Sequence, residues 1–324
     1  MNIIAFRSPD SDTTYIYKTG AAEKINLETG ELRFVISPFN NKEKGFQYIL
    51  TEKITEIPNE VIETNDIKRY FKISDYPQYR EYIEYIKKYI SGDENKKVVA
   101  SRREIVAYEA QITTLFNQLC QEYPDAYVFF ISTKEYGNWI GASPELLLEK
   151  KGDILTTMSL AGTRKTGSDS PWDLKNLKEQ QIVTDFIKNT FQKFGFNAEI
   201  KKRDTRKAGK IEHLVNIIES KIINPQDVDN LLEALSPTPA LSGFPKKEAI
   251  EIINNFEGDR SLYGGFMGPV FPNGDFRFNV ILRCACLSPT TATLFAGGGI
   301  TYLSDPEEEW EETEKKLDTI RRLL

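Results

Sequence analysis

The chain has 324 residues, enough for one large domain or two ordinary ones, and its 40% hydrophobic and 28% charged content is typical of a soluble globular protein. No apolar run reaches the ~18 residues of a membrane helix, and the N-terminus shows no secretory signal. The net charge of −6 argues against nucleic-acid binding, and three cysteines are too few for a disulfide framework. We therefore expect a cytoplasmic protein without a membrane segment or a nucleic-acid partner.

The first half of the chain contains strand-like runs and two segments with helical spacing. Short strand-like runs such as LRFVISPF and FQYILTE occupy the first ~70 residues. The spacing of apolar residues predicts a helix in YPQYREYIEYIKKYIS and a second helix in REIVAYEAQITTLFNQLCQEYP. Strand-forming residues then dominate AYVFFIS, NWIGA and ELLLEKKGDILTT.

The second half continues with helices, strands and a hairpin. We predict helices in LKEQQIVTDFIKNTFQKFG and KKEAIEIINNFEG, and a strand in HLVNIIES. A hairpin is predicted where DFRFNVILRCACL turns into ATLFAGGGITYL. The last helix should begin with Asp305 as N-cap and Pro306 at its first position. Clustered strands joined by hairpins predict an α+β fold with antiparallel sheets.

A carboxylate falls on the inward face of one predicted helix. Glu179 lies in the same arc as Val183 and Ile187, whereas Asp185 points away. A buried carboxylate needs a partner or a metal, and carboxylate oxygens on helices suit Mg²⁺. The alternative is that Glu179 is exposed in a frayed first turn.

Charged residues also share a face of the last helix. Glu309, Glu312 and Lys316 follow one another at spacings of three and four, beside an apolar stripe that includes Leu317. The pattern alone favours a solvated charged face with one ion pair. The alternative is a carboxylate pair that binds a metal at the edge of the buried stripe.

Two basic residues adjoin or interrupt strand-like runs. Lys97 directly precedes a β-branched pair, and a desolvated lysine can serve as a base, although the pattern more often marks a surface lysine. Arg283 lies within the apolar strand NVILRCACL, where it either snorkels or meets a buried anion. The basic run KKRDTRKAGK has no aromatic residue and is predicted to be a solvated loop.

Glycine-rich and proline-rich stretches leave further alternatives open. The triplet Gly297 to Gly299 and the stretch LAGTR each follow a strand, and each could form either a turn or a backbone cradle for an anion. His213, the only histidine, could belong to the core or to a site, and a single histidine makes zinc binding an unfavourable hypothesis. In SPTPALSGFP the prolines should stiffen a loop that presents Ala240 and Leu241 as an apolar wall.

The order of these motifs resembles that of the chorismate-utilising enzyme family, which includes isochorismate, salicylate, anthranilate and aminodeoxychorismate synthases. The resemblance is carried by KVVASR, GASPELLL, LAGTR, KEQQIV, EHLV, SPTPALSGFP, YGGFMG, LRCACL, FAGGGI and EEEWEETEKKL. It covers residues 95–324, and it implies a single catalytic domain over residues 1–324, of which residues 1–95 are the variable part. The implied fold is α+β, with two large antiparallel sheets packed together and helices outside.

The resemblance also implies roles for individual residues. Lys97 matches the lysine that activates water, and Glu145 matches the general acid. Mg²⁺ is the implied cofactor, with Glu179 and Glu312 as ligands and Glu309 as a further acid near the metal. The implied substrate-binding residues, among which Arg283 and Lys316 would hold carboxylates, are Gly162, Thr163, His213, Tyr263, Arg283, Gly297, Gly298, Gly299 and Lys316.

Three positions bear on the branch of the family and on the metal shell. Members that add ammonia usually have glutamine at the position of Lys97, and aminodeoxychorismate synthases have a lysine at the position of Ala161. Both differences imply that water is the nucleophile and that no glutamine amidotransferase subunit is needed. Asn176 replaces an acid that many members carry, so the metal shell is expected to rely more on water.

The SPTPALSGFP stretch resembles the isochorismate branch. The implied reaction is the Mg²⁺-dependent, reversible conversion of chorismate to isochorismate, feeding menaquinone synthesis or a catechol siderophore, with menaquinone preferred. A salicylate synthase, an inactive chorismate-binding homologue and a non-enzymatic anion-binding module remain the alternatives.

Overall fold

The computed structural model describes residues 1–9, 11–27, 30–39, 45–59, 75–168, 170–209 and 211–324. Within these ranges the strands are β1 (Asn2–Arg7), β2 (Tyr15–Thr19), β3 (Arg33–Ser37), β4 (Phe46–Lys53), β5 (Lys97–Ala107), β6 (Tyr127–Thr133), β7 (Gly137–Ser143), β8 (Leu146–Lys151), β9 (Ile154–Lys165), β10 (Glu199–Ile200), β11 (Asp204–Ala208), β12 (Ile211–Lys221), β13 (Gly243–Phe244), β14 (Phe266–Val270), β15 (Phe276–Val280), β16 (Cys284–Leu287) and β17 (Thr291–Ile300). The α-helices are α1 (Tyr76–Ile90), α2 (Ile112–Glu122), α3 (Leu174–Lys193), α4 (Val228–Leu235), α5 (Lys246–Phe256) and α6 (Pro306–Arg321).

The strand pairs of the described residues are antiparallel and follow one path through two sheets that share β4. The first sheet has the order β13-β5-β17-β16-β7-β6-β1-β2-β4. The second continues as β4-β3-β14-β15-β8-β9-β12, and both β10 and β11 pair with β12. With six helices in the described ranges, this architecture confirms the predicted α+β class.

The core lies between the sheets and beneath the helices. Alternate residues of β3, β6 and β7 bring Phe34, Ile131 and Trp139 into one buried cluster. A second cluster joins α1, α3, α4 and α5 to the sheets, and a third lies under α2 and α6. As a result, α3 packs on β9 and α6 packs on β17.

The prediction of one helix from residue 103 to residue 124 is wrong for the first part of that segment. Residues up to Ala107 continue β5, where Arg103 pairs with Phe295 and Ile105 pairs with Thr293 of β17. Only Ile112–Glu122 is helical. The neighbouring strand satisfies the backbone groups of residues 103–107, so a long-range pairing overrides their helical spacing.

The other predicted helices are confirmed, with bounds that shift by a few residues. The N-cap of α6 is Asp305, whose side chain accepts hydrogen bonds from the backbone N–H groups of Glu307 (2.9 Å) and Glu308 (3.1 Å). None of the helices in the described ranges has the length and apolar character to cross a bilayer.

The basic run at residues 201–210 is a solvated segment, but part of it is a strand rather than a loop. β11 pairs with β12, and Lys201, Lys202 and Lys207 are exposed. Residue 210 lies outside the described residues.

Candidate active site

One cavity is lined by residues from most of the predicted motifs. Its walls include Glu145, Gly162, Thr163, Glu179, His213, Tyr263, Arg283, Gly297, Gly299 and Lys316, together with Ala240 and Leu241. The other four predicted residues, Lys97, Gly298, Glu309 and Glu312, lie directly behind these walls, as the contacts below show. The fold therefore gathers residues that are far apart in the sequence.

Lys97 begins β5 and is fully buried, with 0% of its surface exposed. The interpretation of Lys97 as a surface lysine is therefore wrong. Its Nζ lies 2.9 Å from Oε1 of Glu179, which is itself buried on α3. Glu179 thus lies on the inward face of its helix, and the frayed-turn alternative is wrong.

Glu145 lies in the short link between β7 and β8 and is buried. Burial raises the pKa of its carboxyl group to about 8, although the Lys97 charge and the nearby Thr238 hydroxyl lower it in part. The backbone is held in place because the Glu145 carbonyl accepts hydrogen bonds from the N–H of Val280 (3.0 Å) and from Nδ2 of Asn279 (3.1 Å). The raised pKa favours the protonated carboxyl group at neutral pH, on a backbone that is held in place.

The acidic residues of α6 are not on a solvated face, so the interpretation favoured by the sequence pattern is wrong. Glu309 is only 1% exposed, and Glu312 is partly buried. Oε1 of Glu312 lies 2.5 Å from Nζ of Lys316, which also donates to the carbonyl of Gly297 (2.7 Å). Although burial would raise the Glu312 pKa, the lysines beside it lower it.

A residue that sequence analysis missed completes this acidic cluster. Lys175, one turn before Glu179 on α3, brings its Nζ within 2.5 Å of Oε1 of Glu309. Nothing in the local sequence around Lys175 indicates this contact, because Glu309 comes from the other end of the chain. The i, i+4 spacing of Lys175 and Glu179 on α3 is the only signal that could have suggested a role.

The glycine triplet lies within β17, and the turn or bulge favoured by its pattern is wrong. Gly297, Gly298 and Gly299 pair with residues 101, 100 and 99 of β5. A Cβ on Gly299 would lie 2.0 Å from Oε1 of Glu179 and 2.6 Å from Cε of Lys97, and a Cβ on Gly298 would lie 2.6 Å from Oε2 of Glu309. These glycines make room for the buried charged side chains. Their predicted contribution to an anion cradle stays a prediction.

Arg283 lies in the break between β15 and β16. The prediction that it lies inside one continuous strand is therefore wrong. Its φ of +46° is in the left-handed region, which turns the chain at this point. The guanidinium donates to Nε2 of His213 (2.9 Å) and to Oγ1 of Thr319 (3.3 Å), which are both neutral groups. Its charge is therefore available to an anion in the cavity.

His213 is a buried, neutral residue that faces the cavity. Its Nδ1 lies 2.8 Å from the Gly162 carbonyl, to which it donates, so Nε2 is the acceptor for Arg283. Burial, together with the charges of Arg283 and Lys316, lowers the pKa of His213 to about 3. The ring thus links Arg283 to the turn at Gly162.

The LAGTR segment bends at Gly162, where φ is +72°. The N–H of Thr163 donates to Oδ1 of Asn176 (2.8 Å), and Nδ2 of Asn176 donates to Oδ2 of Asp173 (2.7 Å). Asn176 therefore supports this turn from the first turn of α3. Whether the metal shell relies more on water stays a prediction.

The SPTPALSGFP segment is docked on the strand that carries Lys97. Gly243 and Phe244 form β13 and pair with Val98 and Lys97. Gly243 has a φ of +118°, and a Cβ there would lie 2.2 Å from the Lys97 carbonyl oxygen. Only glycine permits this approach, which places Leu241 in the cavity wall as expected.

Tyr263 forms another part of the wall. It is buried, and its ring stacks on that of Phe295 with centroids 5.5 Å apart. Both rings line the cavity and give it one apolar, aromatic side. Such a surface suits the ring of a small cyclic ligand.

The acidic residues have the donor chemistry of a magnesium site. Oε1 of Glu309 is paired with the Lys175 ammonium, whereas Oε2 is buried without a hydrogen bond, which a cation would relieve. Across the described ranges, no three His, Cys, Asp or Glu side chains are spaced as a preformed cage. Mg²⁺ needs no such cage, since it usually takes one or two carboxylates together with water and substrate.

Comparisons with known proteins identify relatives of this chain. The chain is 33% identical to isochorismate synthase EntC of Escherichia coli K12 over 238 residues, which are 69% of this chain and 61% of that protein. It is 31% identical to anthranilate synthase component 1 of Cereibacter sphaeroides over 260 residues, 75% of this chain and 51% of that protein. The chain thus spans about half to three-fifths of these curated relatives.

The fold and a family model extend the similarity over nearly the whole chain. The structure of DhbC from Bacillus anthracis superposes with a TM-score of 0.81 at 25% identity, covering 99% of this chain and 95% of that one. The model of the chorismate binding enzymes matches residues 15–322. The chain therefore belongs to the chorismate binding enzyme family.

Proposed function

We propose that this protein is an isochorismate synthase, which converts chorismate reversibly to isochorismate with water as the nucleophile. The observation that carries the proposal is that a buried lysine, Lys97, and a buried carboxyl group with a raised pKa, Glu145, lie beside one cavity. The similarity to EntC and the lysine at the position where ammonia-adding relatives usually have glutamine support this branch.

Lys97 is the proposed base. In its neutral form, Nζ takes a proton from a water molecule as the water oxygen bonds to C2 of chorismate. General base catalysis of this kind is worth roughly 10²–10⁴-fold in rate. The docking of β13 on β5 holds the strand that carries this amine.

Glu145 is the proposed acid. As the new bond to C2 forms, the ring double bonds shift and the C4–oxygen bond breaks. Glu145 donates its proton to that oxygen, which leaves as water, so one water enters and one leaves and the reaction is an isomerisation. The raised pKa, about 8, keeps the proton available at neutral pH.

The basic side chains of the cavity would bind the two carboxylates of chorismate. Arg283 can grip one of them through two parallel hydrogen bonds, and neutral His213 fixes its guanidinium. Lys316 is the second proposed contact. Glu179 and Glu312 would hold Mg²⁺, with Glu309 beside them, and the ion would offset carboxylate charge and orient the ring.

Two alternatives use the same cavity. A salicylate synthase would form isochorismate and then eliminate pyruvate, and an inactive homologue would bind chorismate without turnover. Retention of Lys97, Glu145, Glu179 and Glu312 argues against inactivity. We further propose that the product enters menaquinone or catechol siderophore synthesis, and we favour menaquinone.

The test is product identification after incubation of the purified protein with chorismate and Mg²⁺. We expect isochorismate at equilibrium with chorismate and no stoichiometric pyruvate. Lys97→Ala should abolish turnover and leave chorismate binding largely intact, whereas the neighbouring control Lys96→Ala should retain activity. Stoichiometric pyruvate, or undiminished turnover by Lys97→Ala, would contradict the proposal.

A further inference from the structure

Each of the two proposed metal ligands, and the acid beside them, is matched by one lysine in this structure. Nζ of Lys97 lies 2.9 Å from Glu179, Nζ of Lys175 lies 2.5 Å from Glu309, and Nζ of Lys316 lies 2.5 Å from Glu312, measured to Oε1 in each pair. Three lysine side chains thus face three carboxylates one to one.

Lys175 differs from the other two lysines because the proposed reaction gives it no task. Its charge is favoured by Glu309, Glu312 and Glu179 together, which outweigh burial and raise its pKa. Glu309 is almost completely buried, so its negative charge needs a cation close by. In the absence of a metal, the Lys175 ammonium is that cation.

A divalent ion would compete with this ammonium. Mg²⁺ bound by Glu179 and Glu312, beside Glu309, would lie in the same acidic cluster, and two cations at short range repel each other strongly where water is scarce. Lys175 can move away from the acidic cluster, because its side chain is 19% exposed and the residue lies in the first turn of α3. A long, flexible side chain can turn its head towards water from such a position.

We propose that Lys175 is an internal counter-ion that occupies the acidic cluster when no metal is bound and is displaced when Mg²⁺ binds. The inference rests on the proposed magnesium site. It makes Lys175 a determinant of metal affinity and of the stability of the metal-free protein. It gives Lys175 no part in the proton transfers.

The test is Mg²⁺ binding to the substrate-free protein, measured by titration calorimetry, for wild type and Lys175→Met. Methionine keeps a similar length and removes the charge. We expect Lys175→Met to bind Mg²⁺ at least about fivefold more tightly than wild type, the low end of usual coupling between sites. Lys175→Arg, which keeps the charge, should bind no more tightly than wild type.

Thermal unfolding provides the second readout. In EDTA, Lys175→Met should melt below wild type, because Glu309 loses its counter-ion, and saturating Mg²⁺ should remove most of that difference. The control is Lys178→Met on the same helix, whose lysine pairs with Glu94 outside the cluster and should show neither effect. Far-UV circular dichroism checks that each variant is folded.

Three results would overturn the inference: equal or weaker Mg²⁺ binding by Lys175→Met, no Mg²⁺ binding to either protein, or a melting difference that persists in saturating Mg²⁺. If Lys175→Met does not fold even with Mg²⁺, Lys175→Gln is measured against the same three results. Tighter Mg²⁺ binding by the variant together with no isochorismate from wild type would refute the proposed function but would still support Lys175 as a counter-ion.

Discussion

Glu145 shows how burial prepares a single residue for proton transfer. Its carboxyl group is enclosed in the fold, which raises its pKa to about 8, and hydrogen bonds from Val280 and Asn279 fix its backbone. A carboxyl group exposed to water would be ionised at neutral pH and could not serve as an acid. The sequence around Glu145 contains no sign of this shift, which depends on long-range packing.

The pH dependence of catalysis should reflect this group. Because the acid must be protonated, kcat/KM should fall about tenfold per pH unit as the pH rises above about 8. The measurement is initial rates from pH 6 to pH 10 at saturating Mg²⁺. A profile that stays flat up to pH 10 would contradict the assignment of Glu145 as the acid.

The amide group of Asn176 should be needed for the full stability of this chain. In Asn176→Asp a second carboxylate would face Asp173, whose Oδ2 now accepts from Nδ2 of Asn176 at 2.7 Å. The lost hydrogen bond and the repulsion should lower the free energy of unfolding at neutral pH by about 1–3 kcal/mol. Chemical denaturation at pH 7 measures the difference, and Asn189→Asp on the exposed face of α3 is the matched control.

A variant as stable as wild type would show that the Asn176 amide is not needed there. A loss of stability that shrinks towards pH 3, where carboxylates become protonated, would support the repulsion. If Asn189→Asp destabilised the protein equally, the effect could not be assigned to the contact with Asp173.

At the scale of elements, β17 brings the charged groups together because it has no side chains at three successive positions. The glycines at positions 297–299 pair with β5 and leave space for side chains from α3 and α6. Sequence patterns favoured a turn there, because glycine is common in turns and the neighbouring side chains come from distant segments. The same limitation explains the misassigned helix at residues 103–107, whose strand partner is almost two hundred residues away.

Gly299→Ala should damage the site by steric exclusion. The added methyl group would lie 2.0 Å from Oε1 of Glu179 and 2.6 Å from Cε of Lys97, so both side chains must move. We expect kcat to fall by at least about 10²-fold, as for loss of a positioned base. Gly20→Ala is the control, since a Cβ at Gly20 meets nothing within 4 Å. Wild-type turnover by Gly299→Ala would contradict this packing.

For the whole molecule, the family resemblance predicted the cavity residues well, because the motifs that carry the resemblance lie at positions that folding brings together. Glu145 lines the cavity and Lys97 lies behind its wall although 47 residues lie between them, and α6 contributes Lys316 to the wall from the other end of the chain. The pairing of carboxylates with lysines, and Lys175 in particular, could not be predicted, since it depends on side-chain positions in three dimensions.

The balance of charges beside the cavity predicts that Mg²⁺ and chorismate bind cooperatively. The three ion pairs leave no excess negative charge for Mg²⁺ alone, whereas chorismate brings two carboxylates with it. Mg²⁺ and chorismate should therefore tighten each other's binding by about 5–150-fold, the usual range of coupling. Titration of Glu145→Gln, which should not turn over and keeps all three ion pairs, with each ligand in the presence and absence of the other measures the factor. Independent binding would contradict the charge argument.

The central claim is that water attacks C2 of chorismate, and the most direct measurement is the reaction in ¹⁸O-labelled water with Mg²⁺. Mass spectrometry and NMR of the product should show isochorismate with one ¹⁸O atom in the C2 hydroxyl group, and no stoichiometric pyruvate. Unlabelled isochorismate would contradict attack by solvent water, and salicylate with pyruvate would contradict the proposed branch.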